Sequence, residues 1–242
     1  PEMEKSGIEF LNETKLSASQ KTWLETYFEK TVLPVLTPLG VDKHHPFPFL
    51  LNKSINLAVL LSRKNDKKKK TSLYTAIIQM PVLLPRLIKL PSPKEKSQFF
   101  FLEDLIKIYS HHLFRGYTLQ DISTFRITRN ADFSVDDDEA EDLLAEMKKF
   151  IYQRNHGHTV RLEVEKSASK KLLNFLTDTL EIKERQVYHV DGPIDMTFLT
   201  PLIESLSRPE LVYPPIQPYD RICLDGSVSL FEQIAAKDLL LH

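Results

Sequence analysis

The chain has 242 residues, enough for one large domain or two small ones. Hydrophobic residues are 42% and charged residues 27%, and 32 Lys+Arg against 33 Asp+Glu leave a net charge of −1. That balance excludes a wholly disordered chain and gives no global attraction for nucleic acid, so any anion site must be a local cluster of Arg or Lys. One cysteine, Cys223, excludes an intrachain disulfide and a Cys-based zinc site and fits a reducing compartment. Six glycines are few for a phosphate-cradling loop. No apolar run is long enough to span a membrane, and no signal peptide opens the chain. Met3 follows Pro1 and Glu2, and the chain closes on Leu239, Leu240, Leu241 and His242, so it reads as a piece of a larger protein.

Residues 17–33 read as a helix. Ser17 and Gln20 have capping-box spacing, and Leu24, Tyr27, Phe28 and Thr31 share a face. Residues 37–52 form a Pro- and aromatic-rich connector expected to resist regular structure. Residues 55–62 and 72–79 read as two strands joined by a basic run that ends in Lys67 to Lys70. That run is read as a solvated hairpin tip, with a polyanion or membrane contact as the alternative. Phe99 to Phe101 read as a short strand, followed by a helix over about 102–114 that Gly116 ends. Residues 122–128 alternate, with Phe125 and Ile127 to one side and Arg126 and Thr128 to the other. A helix is expected over 136–155, its acidic start at Asp136 to Glu139 suiting the helix dipole. Residues 159–164 predict a strand with Val160, Leu162 and Val164 inward and Arg161 and Glu163 outward. A helix over 169–181 and a strand over 186–190 follow. Asp191, Gly192 and Pro193 make a turn into a helical stretch over 195–206, where Pro201 starts a second short helix after Thr200. Residues 208–221 look extended, and 228–236 read as a last helix. The pattern predicts an α+β fold, a mixed β-sheet with packed helices, plus an N-terminal helical extension.

Chemistry is sparse. There is no Gly-x-Ser-x-Gly, Walker loop, Gly-x-Gly-x-x-Gly or His-Glu-x-x-His pattern. Eight histidines include the pairs His44–His45, His111–His112 and His156–His158, but adjacent side chains point apart and no carboxylate spacing supports a metal. Arg126 and Arg129 are the candidate anion contacts. Arg129 lies at the carboxyl end of a strand, where ligands of open sheets bind. The bland alternative pairs them with Asp132 or the acidic helix start.

Several blocks resemble bacterial polyphosphate kinases of the phosphohistidine type. They are Leu36 to Pro48, Asn52 to Val59, Pro85 to Pro91, Leu102 to Ile106, Phe125 to Asp132, Val160 to Val164 and Val187 to Pro193, in that order. The tail from Phe231 to His242 resembles the approach to that family's first catalytic domain. The resemblance implies an enzyme that reversibly moves the γ-phosphoryl of ATP to inorganic polyphosphate through a phosphohistidine, with Mg2+. It implies four parts: a helical N-terminal domain, a middle or head domain, and two catalytic domains similar to phospholipase D.

On that resemblance, residues 1–36 end the N-terminal domain, 37–52 connect, 53–205 form the head domain, and 206–242 lead toward the catalytic part. The head domain is expected to scaffold, to help form a homodimer or higher oligomer, and to line one side of the phosphate tunnel. Its expected partners are the N-terminal and catalytic domains of the same enzyme and, in the parent, polyphosphate; no nucleic acid is expected. None of the histidines here matches the family's phosphohistidine motif, so no catalytic, cofactor or metal residue carries over. ATP and Mg2+ belong to the parent, with none expected on this part. The implied location is the cytoplasm, peripheral at the inner membrane face. The rival readings are an independent α+β interaction or anion-binding module, and a small free-standing histidine-dependent phosphatase or phosphotransferase.

Overall fold

The computed structural model describes residues 2–42, 44–63, 73–93, 96–130, 157–206, 208–216 and 227–237. Two units divide at Leu202 and Ile203. In the first unit, α1 (Glu2–Lys5) and β1 (Ile8–Phe10) precede α2 (Ala18–Tyr27). The Ser17 hydroxyl accepts from the Gln20 backbone, and the Gln20 side chain accepts from the Ser17 backbone, closing the capping box that the sequence announces. Helix α2 passes into one wide turn, Phe28–Val32. The buried positions Gln20, Leu24, Phe28 and Val32 recur every four residues, so Val32 takes the inward place expected of Thr31.

Eight more strands follow β1. They are β2 (Pro38–Val41), β3 (Ile55–Arg63), β4 (Leu73–Gln79), β5 (Leu87–Lys89), β6 (Ser97–Phe101), β7 (Tyr117–Arg129), β8 (Thr159–Glu165) and β9 (Val187–Val190). Helix α3 (Leu102–Tyr109) lies between β6 and β7; α4 (Lys170–Leu180) and α5 (Leu199–Leu206) flank β9. A six-stranded sheet has the order β2-β4-β3-β7-β8-β9, and a second, three-stranded sheet the order β1-β6-β5. Most neighbours are antiparallel, but β1 with β6 and β8 with β9 are parallel, so both sheets are mixed.

The six-stranded sheet is packed on both faces. Leu57, Val59 and Leu61 of β3 join Leu24, Phe28, Phe100, Leu105 and Ile106 in one core. Ala58 and Leu60 join Phe125, Ile127, Leu162, Val164, Leu172 and Leu176 in the other. This double burial explains why β3 is apolar at nearly every position rather than alternating.

Several expectations are corrected. Residues 37–52 were expected to lack regular structure, yet Pro38–Val41 pairs with β4 at the sheet margin, where a proline at the first strand position loses no ladder bond that an interior strand would need. Residues 1–36 are not purely helical, because β1 pairs in parallel with β6. Val160 is 40% exposed rather than inward. The β7–β8 register jumps from Thr128↔Arg161 to Arg129↔Thr159, which leaves Val160 as the extra residue of a bulge. Glu163, expected outward, is buried. Helix α3 stops at Tyr109, followed by a tight turn Ser110–His112. Pro201 is the third residue of α5, which begins at Leu199 rather than at the proline. The expected helix over 136–155, with Asp132 and Asp136 to Glu139, lies outside the described residues, as do Lys67 to Lys70, His156 and Cys223.

The second unit carries a short turn of helix, Pro209–Leu211, and α6 (Leu230–Ala236).

Leu162 is fully buried between Phe125 and Ile127 of β7 and Leu172 and Leu176 of α4. Leu162→Ala is expected to lower unfolding free energy by about 2–5 kcal/mol in chemical denaturation. A loss below about 0.5 kcal/mol, the range of neutral surface changes, would contradict this packing.

Candidate functional site

Strand β7 presents Arg126 on the face opposite Phe125 and Ile127. Its Nε donates to Glu163 Oε2 at 2.6 Å, and its guanidinium lies 3.1 Å from Asp195 Oδ1. The other Glu163 oxygen accepts from Arg161 at 2.9 Å, and Arg161 lies 3.9 Å above the Tyr188 ring. One carboxylate therefore serves two arginines on adjacent strands. Arg129 ends the same strand among different neighbours. It donates to the Leu50 carbonyl at 3.3 Å and the Gly157 carbonyl at 3.0 Å, and lies 5.3 Å from the Phe49 ring. Burial pulls its guanidinium below the usual arginine value. The two anion candidates are thus held by separate sets of protein groups.

The described histidines sit near the surface or on turns. Asp42 caps the His44–His45 turn, accepting from both backbone amides and contacting His45 Nδ1 at 3.0 Å. Those three contacts hold the Asp42 carboxyl below its usual value. The rings of His111 and His112 lie with centres 4.2 Å apart, tilted by 46°. Among the described residues, no group of three or more His, Cys, Asp or Glu side chains is arranged to hold a metal ion.

A cleft of about 510 Å3 opens elsewhere, at the carboxyl ends of the two parallel strand pairs. Phe10 ends β1, Phe101 ends β6, Glu165 ends β8 and Val190 ends β9, and all four line it. Strand ends leave backbone ladders and turn into loops, which is why ligands of open sheets gather there. Glu103 and Asp104, in the first turn of α3, complete one wall, and the turn from Asp191 to Ile194 completes another.

Arg86 holds these walls together. It donates to Glu103 Oε1 through Nε at 2.9 Å and through a terminal nitrogen at 2.6 Å. It also donates to the carbonyls of Ile194 at 2.6 Å and Asp195 at 2.7 Å. Its guanidinium lies 5.4 Å from the Phe101 ring and 5.2 Å from that of Phe198. Burial pushes the Glu103 carboxyl above its usual value, against the pull of Arg86. Nearby, Lys107 bridges Asp104, at 3.1 Å, and Glu165. Burial pulls Lys107 down, but the two carboxylates overcome it and raise it.

Sequence reasoning missed this cleft. Arg86 and Glu103 are 17 positions apart and Arg86 and Asp195 are 109 apart, so no local spacing marks them. The available signal was a pair of charged residues inside strongly apolar stretches, at Leu84 to Ile88 and at Phe99 to Ile106.

A family model described as the polyphosphate kinase middle domain matches residues 19–202. A polyphosphate kinase of Bacillus cereus is 41% identical over 245 aligned positions, covering 100% of this chain and 35% of that protein. One of Pseudomonas aeruginosa is 36% identical over 243 positions, again covering 100% of the chain and 35% of the relative. The crystal structure of polyphosphate kinase from Porphyromonas gingivalis superposes with a TM-score of 0.70 at 21% identity, over 90% of this chain and 30% of that one. That likeness concerns the fold. The chain spans about a third of the length of these relatives.

Proposed function

Since the chain belongs to the polyphosphate kinase middle-domain family, we propose that it is the non-catalytic middle part of an enzyme that reversibly transfers the ATP γ-phosphoryl to inorganic polyphosphate through a phosphohistidine. The family match over residues 19–202 carries this reading. ATP and Mg2+ are assigned to the parent's other domains. Phosphoryl transfer needs a nucleophile, phosphate clamps and a metal-bridged leaving group held together.

The role proposed for the chain is to scaffold the N-terminal and catalytic domains, to help form a homodimer, and to line the phosphate tunnel in a cytoplasmic enzyme. No helix among the described residues is long and apolar enough to cross a membrane. Scaffolding is supported by the apolar side chains of the second unit. Tyr213 is 94%, Ile216 95% and Phe231 82% exposed, apolar side chains that contact with another domain would bury.

The tunnel contact is proposed at Arg126 and Arg129. Arginine grips phosphate oxygens with a forked, charge-assisted geometry. Each well-formed contact contributes about 1.5–3 kcal/mol, so replacing both by Ala in the whole enzyme should raise the KM for long-chain polyphosphate at least about tenfold. An unchanged KM in a folded double variant removes both from the phosphate path. Loss of folded enzyme with equal effects on all substrates assigns them to structure alone.

The direct test of the function compares the whole protein with this chain under γ-labelled ATP. The whole protein is expected to make labelled polyphosphate and the chain alone to make none. Polyphosphate synthesis by the chain alone would overturn the non-catalytic assignment.

A further inference from the structure

The turn that leaves β9 puts an exposed carboxyl beside an unhindered main-chain amide. Asp191 directly follows Val190, the last residue of the strand, and its side chain is 82% exposed. Lys166 Nζ donates to its Oδ2 at 3.0 Å, but the lysine is exposed as well, so the pair is a weak tether screened by water. Gly192 comes next, with a φ of 139° that residues bearing a Cβ rarely adopt. No atom lies within 4 Å of the place its Cβ would take. The Gly192 amide donates to no acceptor among the described residues.

An aspartate in such a setting is open to attack by its own backbone. The Gly192 nitrogen adds to Asp191 Cγ and forms an N–Cγ bond. The nitrogen gives up its proton and the carboxyl gives up one oxygen, which leave together as water, and a five-membered succinimide closes. Water then opens the ring at one of its two carbonyls. Opening at Cγ restores aspartate. Opening at the main-chain carbonyl breaks the original peptide bond, and the chain then runs through Cγ as isoaspartate. One water leaves and one enters, so the step needs no oxidant, reductant or cofactor. The attack requires a free amide and is hindered by a side chain on the following residue. Every other described aspartate precedes a residue that carries one, as Asp121 precedes Ile122 and Asp195 precedes Met196.

We propose that Asp191 is a modification site, converting spontaneously to isoaspartate through a succinimide closed by the Gly192 amide. Its place in the fold gives the change a consequence. Isoaspartate lengthens the main chain by one methylene between β9 and the carbonyls of Ile194 and Asp195, which Arg86 holds at 2.6 and 2.7 Å. It therefore alters the turn that forms one wall of the cleft. The inference rests on this turn and is independent of the phosphoryl-transfer reading.

The test ages the whole protein, folded, for weeks near body temperature at neutral pH. Digestion with an endoproteinase that cuts before aspartate and not before isoaspartate then reports the change, and electron-transfer fragmentation places the isomer. Peptides carrying Asp191 are read apart from those carrying Asp225, the other aspartate that precedes a glycine in the sequence. Isoaspartate is expected at position 191, preceded by a species lighter by one water, at no less than about a tenth of the rate in the urea-unfolded protein, because an exposed turn leaves the reacting groups nearly as free as an unfolded chain does. Asp191→Glu keeps the carboxylate but would have to close a six-membered ring, so the species lighter by one water should disappear from that peptide. The proposal is overturned if Asp191 stays unmodified in the folded protein, or if the water-loss species persists undiminished in folded Asp191→Glu.

Discussion

Replacing Arg86 with Ala is expected to destabilise the chain by about 3–5 kcal/mol, the usual penalty for breaking a buried pair by removing one partner. The change strips four hydrogen bonds at once, two to Glu103 and one each to the carbonyls of Ile194 and Asp195. It also removes the cation between the Phe101 and Phe198 rings. Glu103, 4% exposed, would be left with no cation on either oxygen. Urea unfolding of Arg86→Ala reads the loss, and Arg86→Lys should recover only part of it, because an ammonium cannot reproduce the fork. A loss below about 1 kcal/mol would show that the clamp is no stronger than a surface pair.

The same pair sets a pH dependence. Burial raises Glu103 above its usual value of 4.5, so the folded chain keeps this proton where the unfolded chain has lost it. Its contribution to stability is therefore present below the ordinary carboxylate value and is lost as the pH rises through the raised one. Relative to Glu103→Gln, the wild type should gain stability as the pH falls through the raised value toward the ordinary carboxylate one. Parallel pH profiles for the two proteins would contradict the raised value.

Phe28→Ala should cost about 3–5 kcal/mol, the range for truncating a buried phenylalanine. Phe28 is fully buried, stacks 5.2 Å from Tyr109 and joins the core formed by β3, β4, β6 and α3. Trp23, one helical turn and a half earlier, is 37% exposed and, among the described residues, stacks on Tyr27 at 5.4 Å. Trp23→Ala should therefore cost much less, about 1 kcal/mol or under. The contrast tests whether the N-terminal helix is an integral part of the first unit. Equal effects of the two changes, or a small one at Phe28, would mean that the helix docks loosely.

The elements legible in the sequence were those whose signal is local. The Ser17–Gln20 box fixed where α2 begins, and alternation at Phe125 and Ile127 oriented β7 correctly. The helix expected over 169–181 is α4, which the structure starts after the capping residue Ser169. The elements that escaped are defined by partners. Strands β1 and β5, three residues each, exist only because β6 lies between them. A bulge at Val160 depends on the β7–β8 register, which alternation cannot reveal. The candidate site divided in the same way. Arg126 and Arg129 stood out because they occupy one strand. Arg86, Glu103, Thr124 and Asp195 come from distant segments, and only the fold shows that they share one cleft and its clamp.

The central claim is that the phosphoryl-accepting histidine belongs to another part of the parent enzyme. The most direct measurement maps the phosphohistidine formed when the whole protein is briefly exposed to γ-labelled ATP, by peptide mass spectrometry under conditions that preserve the P–N bond. The account predicts a labelled histidine outside the 242 residues described by this sequence. Label on any of its eight histidines, His44, His45, His111, His112, His156, His158, His189 or His242, would contradict it.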